Sequence, residues 1–242
     1  MEKITIKICS GLFVLLHSIS CYADHQGLKK FEKQLVEKYK NAEFFEVNGD
    51  IEAEISNKIS EDNTSFTYDF LILQQKGYIR THYSPDKKLK FYTFDISGGG
   101  TMGEWSSYVQ YKAGQKLLLD EFQAGYIQNI SQVNIKNKPT YLVENYYKGD
   151  SCHGAYNLRA VEVGSKQLLK SYIFESKNKK NHDLSVEYDC NYDSDRSHAP
   201  NYFRIKPKTV DVMFLNSALV PQNKYLRYSL GQNGYRYIGI VK

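Results

Sequence analysis

From Glu43 to Lys242, short runs rich in Tyr, Phe, Val, Ile and Thr recur at intervals of roughly 8–12 residues, broken by Gly, Asn, Asp or Pro. This texture constrains the fold more than any motif does. Strands so closely spaced leave no room for the long crossovers that parallel pairs need, so the sheets must be mainly antiparallel. The predicted strands are Phe44–Val47, Ser65–Leu73, Tyr78–Tyr83, Leu89–Ile96, Trp105–Tyr111, Lys116–Leu119, Gln132–Ile135, Thr140–Tyr146, Asn157–Val163, Leu168–Glu175, Asp183–Asp189, Tyr202–Ile205, Thr209–Phe214, Tyr225–Ser229 and Tyr235–Val241. The class is all-β, a sandwich or a strongly bent meander. A small β-propeller is the alternative, and no fixed period of about 40 residues recurs to favour it.

Two hairpin turns are legible, Ser97–Gly103 with its three consecutive glycines and Gly231–Gly234. No Pro- or Ser-rich linker divides the chain, so residues 24–242 are expected to form a single β-rich domain. One helix precedes the strands, over about 26–42. Leu28, Phe31, Leu35 and Tyr39 share one face, and Lys29, Lys30, Lys33, Lys38 and Lys40 take the other. Glu32 and Glu37 dilute the basic face, which favours a helix laid on a sheet over a membrane-surface segment.

Residues 1–23 have the features of an export signal: Lys3 and Lys7, an apolar stretch from Ile8 to Ile19, and a small-residue exit at Cys21-Tyr22-Ala23. Cleavage after Ala23 is expected. About a dozen apolar residues are too few to span a bilayer, so no stable membrane span should remain. A lipoprotein would acylate Cys21, but Ser18-Ile19-Ser20 lacks the large aliphatic residue such signals usually carry. The expected location is periplasmic or secreted.

Loss of the signal would also remove Cys9 and Cys21 from the four cysteines, leaving Cys152 and Cys190. In an oxidising compartment such a pair forms a disulfide, and closing a loop of about 38 residues stabilises a fold by about 3–4 kcal/mol in the chain-entropy model. A redox or metal pair would need close spacing such as Cys-x-x-Cys, which is absent.

A net charge of +5 is mild, and the basic clusters at Lys177, Lys179 and Lys180 and at Lys87-Lys88 sit beside turn residues. Nucleic acid is therefore not an expected partner. No metal site, cofactor or catalytic residue is assigned. Gly149-Asp150-Ser151-Cys152-His153-Gly154 gathers reactive groups, but adjacency is not a catalytic arrangement, because nucleophile and base must face each other from different elements. Asp189 to Asp195 spaces oxygen ligands like a calcium loop, yet Ser194 and Pro200 stand where the sharp turn and the bidentate Glu are required. Gly-x-Ser-x-Gly and His-Glu-x-x-His are absent, and Ser176-x-x-Lys179 lies in a hydrophilic turn. Two carboxylates brought together by the fold would suffice for a glycosidase, and Glu104, Glu144, Glu187 and Asp189 are available.

Exposed hairpin tips beside a Trp are plausible contact surfaces. That singles out Glu104 and Trp105, the only Trp, with Tyr108 and Tyr111 on the same run. The 21 tyrosines, several of them alternating (Tyr225, Tyr228, Tyr235, Tyr237), suit either half-buried strands or a stacking face. These readings converge on an exported, non-catalytic binding protein whose partner is a protein, such as a toxin or envelope enzyme held by an inhibitor or immunity-type protein. The alternatives are an envelope hydrolase acting on glycan or peptide, and a cell-wall carbohydrate-binding module.

Overall fold

The chain is described from a computed structural model at residues 25–99, 103–189 and 201–242. Its contacts divide it into two compact units, with the boundary between Ile79 and Arg80.

The first unit is helical. Helix α1 spans residues 25–40 and buries Leu28, Leu35, Val36 and Tyr39, the face expected from their spacing, with Phe31 half-buried. Helix α2 (Phe44–Glu61) buries Ile51, Ile55 and Ile59 at intervals of four. A 3₁₀ turn (Asn63–Thr67) and the short helix α3 (Leu71–Gln75) complete it. The strand expected at Phe44–Val47 is therefore helical, and Ser65–Leu73 runs from the 3₁₀ turn through three irregular residues into the start of α3. Phe44–Val47 does have strand-forming side chains, but it is the first turn of an element whose apolar stripe begins at Ile51, beyond the reach of a four-residue window.

At Ser65–Leu73 tertiary structure overrides an alternating pattern. Glu32 of α1 is 1% exposed, and its Oε1 accepts the amides of Ile72 and Leu73 at 2.7 and 3.0 Å. Its Oε2 accepts the Tyr68 hydroxyl at 2.5 Å. Two amides that a strand would pair across a ladder are satisfied by one buried carboxylate, and α3 starts there. Burial and this carboxylate raise the Tyr68 pKa well above that of an ordinary tyrosine.

The second unit is built from three sheets. The first is a meander in the order β1 (Ile79–Tyr83), β2 (Leu89–Asp95), β3 (Trp105–Ala113) and β4 (Lys116–Glu121). The second follows β5 (Tyr126–Ile135), β6 (Lys138–Lys148) and β7 (His153–Val163). The outer edge of β7 is shared between β8 (Leu168–Lys170) and β11 (Asp183–Asp189). The third has the order β10 (Lys179–Asn181), β9 (Phe174–Ser176), β15 (Gly234–Val241), β14 (Pro221–Gly231), β13 (Thr209–Leu215) and β12 (Phe203–Lys206). The strand pairs are antiparallel among the described residues apart from β9 on β15, a two-residue parallel contact. From Tyr78 onward the predicted strands are present, except that Leu168–Glu175 is broken at residues 171–173 into β8 and β9, which join different sheets; β10 was not predicted.

The middle sheet packs on both sides, because its strands alternate two apolar sets. On β6, Tyr141 and Val143 join a core with Leu89, Phe91 and Val109 of the first sheet, while Leu142 joins a core with Val210, Val212 and Phe203 of the third. Three sheets are fewer than the four blades of the smallest propellers, and no closed ring is seen among the described residues. In the third sheet, fully buried Asp211 accepts both arms of Arg227 at 2.7 Å from Nε and from Nη2, the fork that compensates a buried carboxylate.

Candidate functional site

The predicted β2–β3 hairpin is present, and its base is knotted by side chains. Asp95 Oδ1 accepts the Ser97 amide at 2.9 Å, and Ser97 Oγ accepts the Glu104 amide at 3.0 Å. Residues 100–102 of the turn lie outside the described residues. Glu104 is exposed, and its carbonyl accepts the Ile96 amide, so its backbone closes the hairpin while its side chain faces solvent.

Trp105 follows, half-buried. Its indole covers Gly103 so closely that any Cβ there would collide with the ring, and it meets Tyr126 and Tyr146, both at 5.7 Å between centroids. Tyr126, Tyr146 and Tyr156 stand directly opposite one another on β5, β6 and β7. Tyr188 of β11 extends the row, at 5.9 Å from Tyr146 and 5.5 Å from Tyr156, with its hydroxyl 2.5 Å from that of Tyr146. Tyr202 stacks on Tyr156 at 4.3 Å. At the other end the Arg80 guanidinium lies over Tyr126 at 5.1 Å. Burial raises the pKa values of Tyr126 and Tyr188, the latter also through its bond to Tyr146, so both phenols stay neutral. Six rings thus form one continuous row, five of them half-buried and Tyr202 buried.

The other sequence candidates have different settings. Tyr108 is half-buried, edge-on to Phe94. Tyr111 is buried in the core with its hydroxyl on Asp120 at 2.6 Å, so it offers nothing to a partner. It shares the face of β3 with Trp105 but lies six residues further along, where that face enters the core with Val109. Tyr225, Tyr228 and Tyr235 are likewise core residues, and half-buried Tyr237 packs against that core, as expected of tyrosine on half-buried strands. The sequence signal that could have revealed the ring row was cross-strand register, not composition.

His153 is exposed at the start of β7. Its Nδ1 lies 2.8 Å from Asp150 Oδ2, and its Nε2 lies 3.5 Å from Asp189 Oδ2. The Asp150 bond, above all, raises the imidazole pKa. Asp150 is itself held down to about 2, first by the amides of Cys152 and His153. A carboxylate at each nitrogen favours the protonated form of the imidazole. The remaining carboxylate candidates are separately placed. Burial raises the pKa of Glu144, which accepts the Asn129 amide at 2.8 Å, and Glu187 is exposed on β11.

Among the described residues no group of three or more His, Cys, Asp or Glu side chains could hold a metal ion. Of the calcium-like run only Asp189 is described. Cys152 is described and Cys190 lies outside the described residues. No helix among them is long and apolar enough to cross a membrane. Comparison with known protein families, with curated proteins and with solved structures finds no match to this chain.

Proposed function

We propose that the chain is an exported, non-catalytic binding protein that holds a protein partner through the surface around Glu104 and Trp105. The observation that carries this reading is the half-buried ring row from Tyr126 through Trp105 and Tyr146 to Tyr188. Rigid aromatic rings supply large contact area for little lost conformational entropy, and Trp and Tyr dominate the energy of protein interfaces. Exposed Glu104 beside them offers a charge at the rim. Export is supported by residues 1–23, and occlusion of a toxin or envelope enzyme suits a surface that needs no cofactor.

The test is affinity capture from native envelope extract, with residues 24–242 as bait beside the Trp105→Ala variant. A stoichiometric protein held by the native chain and lost by the variant supports the reading. A glycan-binding platform is the second reading, favoured by the same ring row because sugars stack on aromatic faces. Sedimentation of the protein with purified cell wall at low salt, without a captured protein, would move the assignment there.

A further inference from the structure

A cleft of about 370 Å³ opens on the opposite face of the middle sheet, between β4 and the shared outer edge of β7. Its apolar floor includes Val109 and Val161, both buried, with Phe122 and Leu168 beside them. The volume is in the range of small-ligand sites, which combine such a floor with a few placed polar groups.

The polar group fixed most firmly is Arg159. Its Nη1 donates to the Gln123 carbonyl at 2.7 Å and its Nη2 to the Tyr147 hydroxyl at 2.8 Å, while the guanidinium lies 5.6 Å from the centre of the Tyr147 ring. The Tyr147 hydroxyl also donates to the Gln123 carbonyl, so the three groups lock one another. Arginine carries five N–H donors, and two are engaged here. Among the described residues no carboxylate pairs with Arg159 or with Lys170, the second cation of the cleft. His182, at 3.6 Å from Asp183, closes that side.

The opposite wall is acidic. Asp120 of β4 faces the same cleft, oriented by the Tyr111 hydroxyl at 2.6 Å and the Leu168 amide at 3.3 Å, and Glu121 at the end of the strand lines it too. A simple anion would meet these carboxylates together with Asp183, and a simple cation would meet Arg159 and Lys170. A ligand bearing both charges around an apolar body complements every wall.

The geometry points to a site for a short zwitterionic peptide with apolar side chains, its carboxylate on Arg159 and Lys170 and its ammonium towards Asp120 and Glu121. This site is separate from the ring row and does not depend on the proposed function.

The experiment is calorimetric titration of leucyl-leucine into residues 24–242 at low salt, beside N-acetyl-leucyl-leucine and leucyl-leucinamide, each of which lacks one charge. Leucyl-leucine should bind with a Kd of about 1 mM or tighter, and each blocked form at least about tenfold more weakly. Arg159→Met should abolish binding. Because that change also releases Tyr147, the exposed Lys170→Met and Glu121→Gln variants carry the decision, each expected to weaken binding by about threefold or more. No detectable binding by the native chain, equal binding of the blocked forms, or unchanged affinity in both exposed variants would overturn the assignment.

Discussion

The ring of Tyr188 lies over Gly154, its direct partner across the β7–β11 ladder. A Cβ built on Gly154 would stand 2.6 Å from Tyr188 Cε1 and would collide with the Tyr147 carbonyl oxygen. The glycine is thus the floor on which the far end of the ring row rests, an aromatic ring covering a strand glycine. Gly154→Ala should destabilise the fold by about 1–3 kcal/mol, since backbone and ring must both shift. Gly98→Ala, where nothing lies within 4 Å, should change little. Urea denaturation followed by the single Trp reads both, and equal midpoints for the two variants would refute this packing.

Glu32 gives a second prediction. Glu32→Ala leaves the Ile72 and Leu73 amides without their acceptor and should cost about 2–4 kcal/mol. Glu32→Gln keeps one acceptor oxygen and should cost less. Amide exchange at residues 72 and 73 should accelerate first. Unchanged protection there in Glu32→Ala would contradict the capping role.

Two histidines should titrate in opposite directions from the ordinary value near 6.5. His153, held by Asp150 and Asp189, titrates above it. His82 titrates below it, through burial first and then the nearby Arg80 charge. The raised His153 pKa contributes stability that is complete below 6.5 and fades as pH rises through the folded value. His82 acts with the opposite sign, contributing above 6.5 and fading as pH falls through its lowered value. Asp150, held at about 2, contributes above 3.8 and loses that contribution between 3.8 and 2. Imidazole proton shifts in Asp150→Asn should show the His153 midpoint falling and His82 unmoved; a stationary His153 would be contrary to the assignment.

The expected Cys152–Cys190 disulfide gives a further prediction. Cys152 is described and Cys190 lies outside the described residues, so the pairing rests on the cysteine count and on the oxidising compartment expected for an exported chain. Intact mass of the protein, isolated without reductant, should show no alkylation before reduction. Two alkylated thiols without reduction would refute the pairing.

Most strands from Ile79 onward were legible because they carry their own Tyr, Val, Ile or Thr run and their own turn; β10 (Lys-Lys-Asn) has no such run, and β8 and β9 read as one. Residues 44–75 were not, because Ile51, Ile55 and Ile59 declare a helix only over a longer window, and because Glu32, polar in sequence, lies on the buried stripe and caps α3. Trp105 and Glu104 were found from the hairpin tip. Tyr126, Tyr146, Tyr156 and Tyr188 were not, since they lie up to 62 residues apart in sequence and meet only through strand register. Tyr111 was misplaced because it shares a face of β3 with Trp105 but lies in the part of that face the core covers, which only the packing of the sheets decides.

The central claim is that the surface at Glu104 and Trp105 faces a protein. A photo-crosslinking amino acid placed at position 104, with position 206 on β12 as an exposed control, tests this most directly in cells. A discrete protein adduct from position 104 and none from position 206 is the predicted result. No adduct at 104, or the same adducts from both positions, would contradict it.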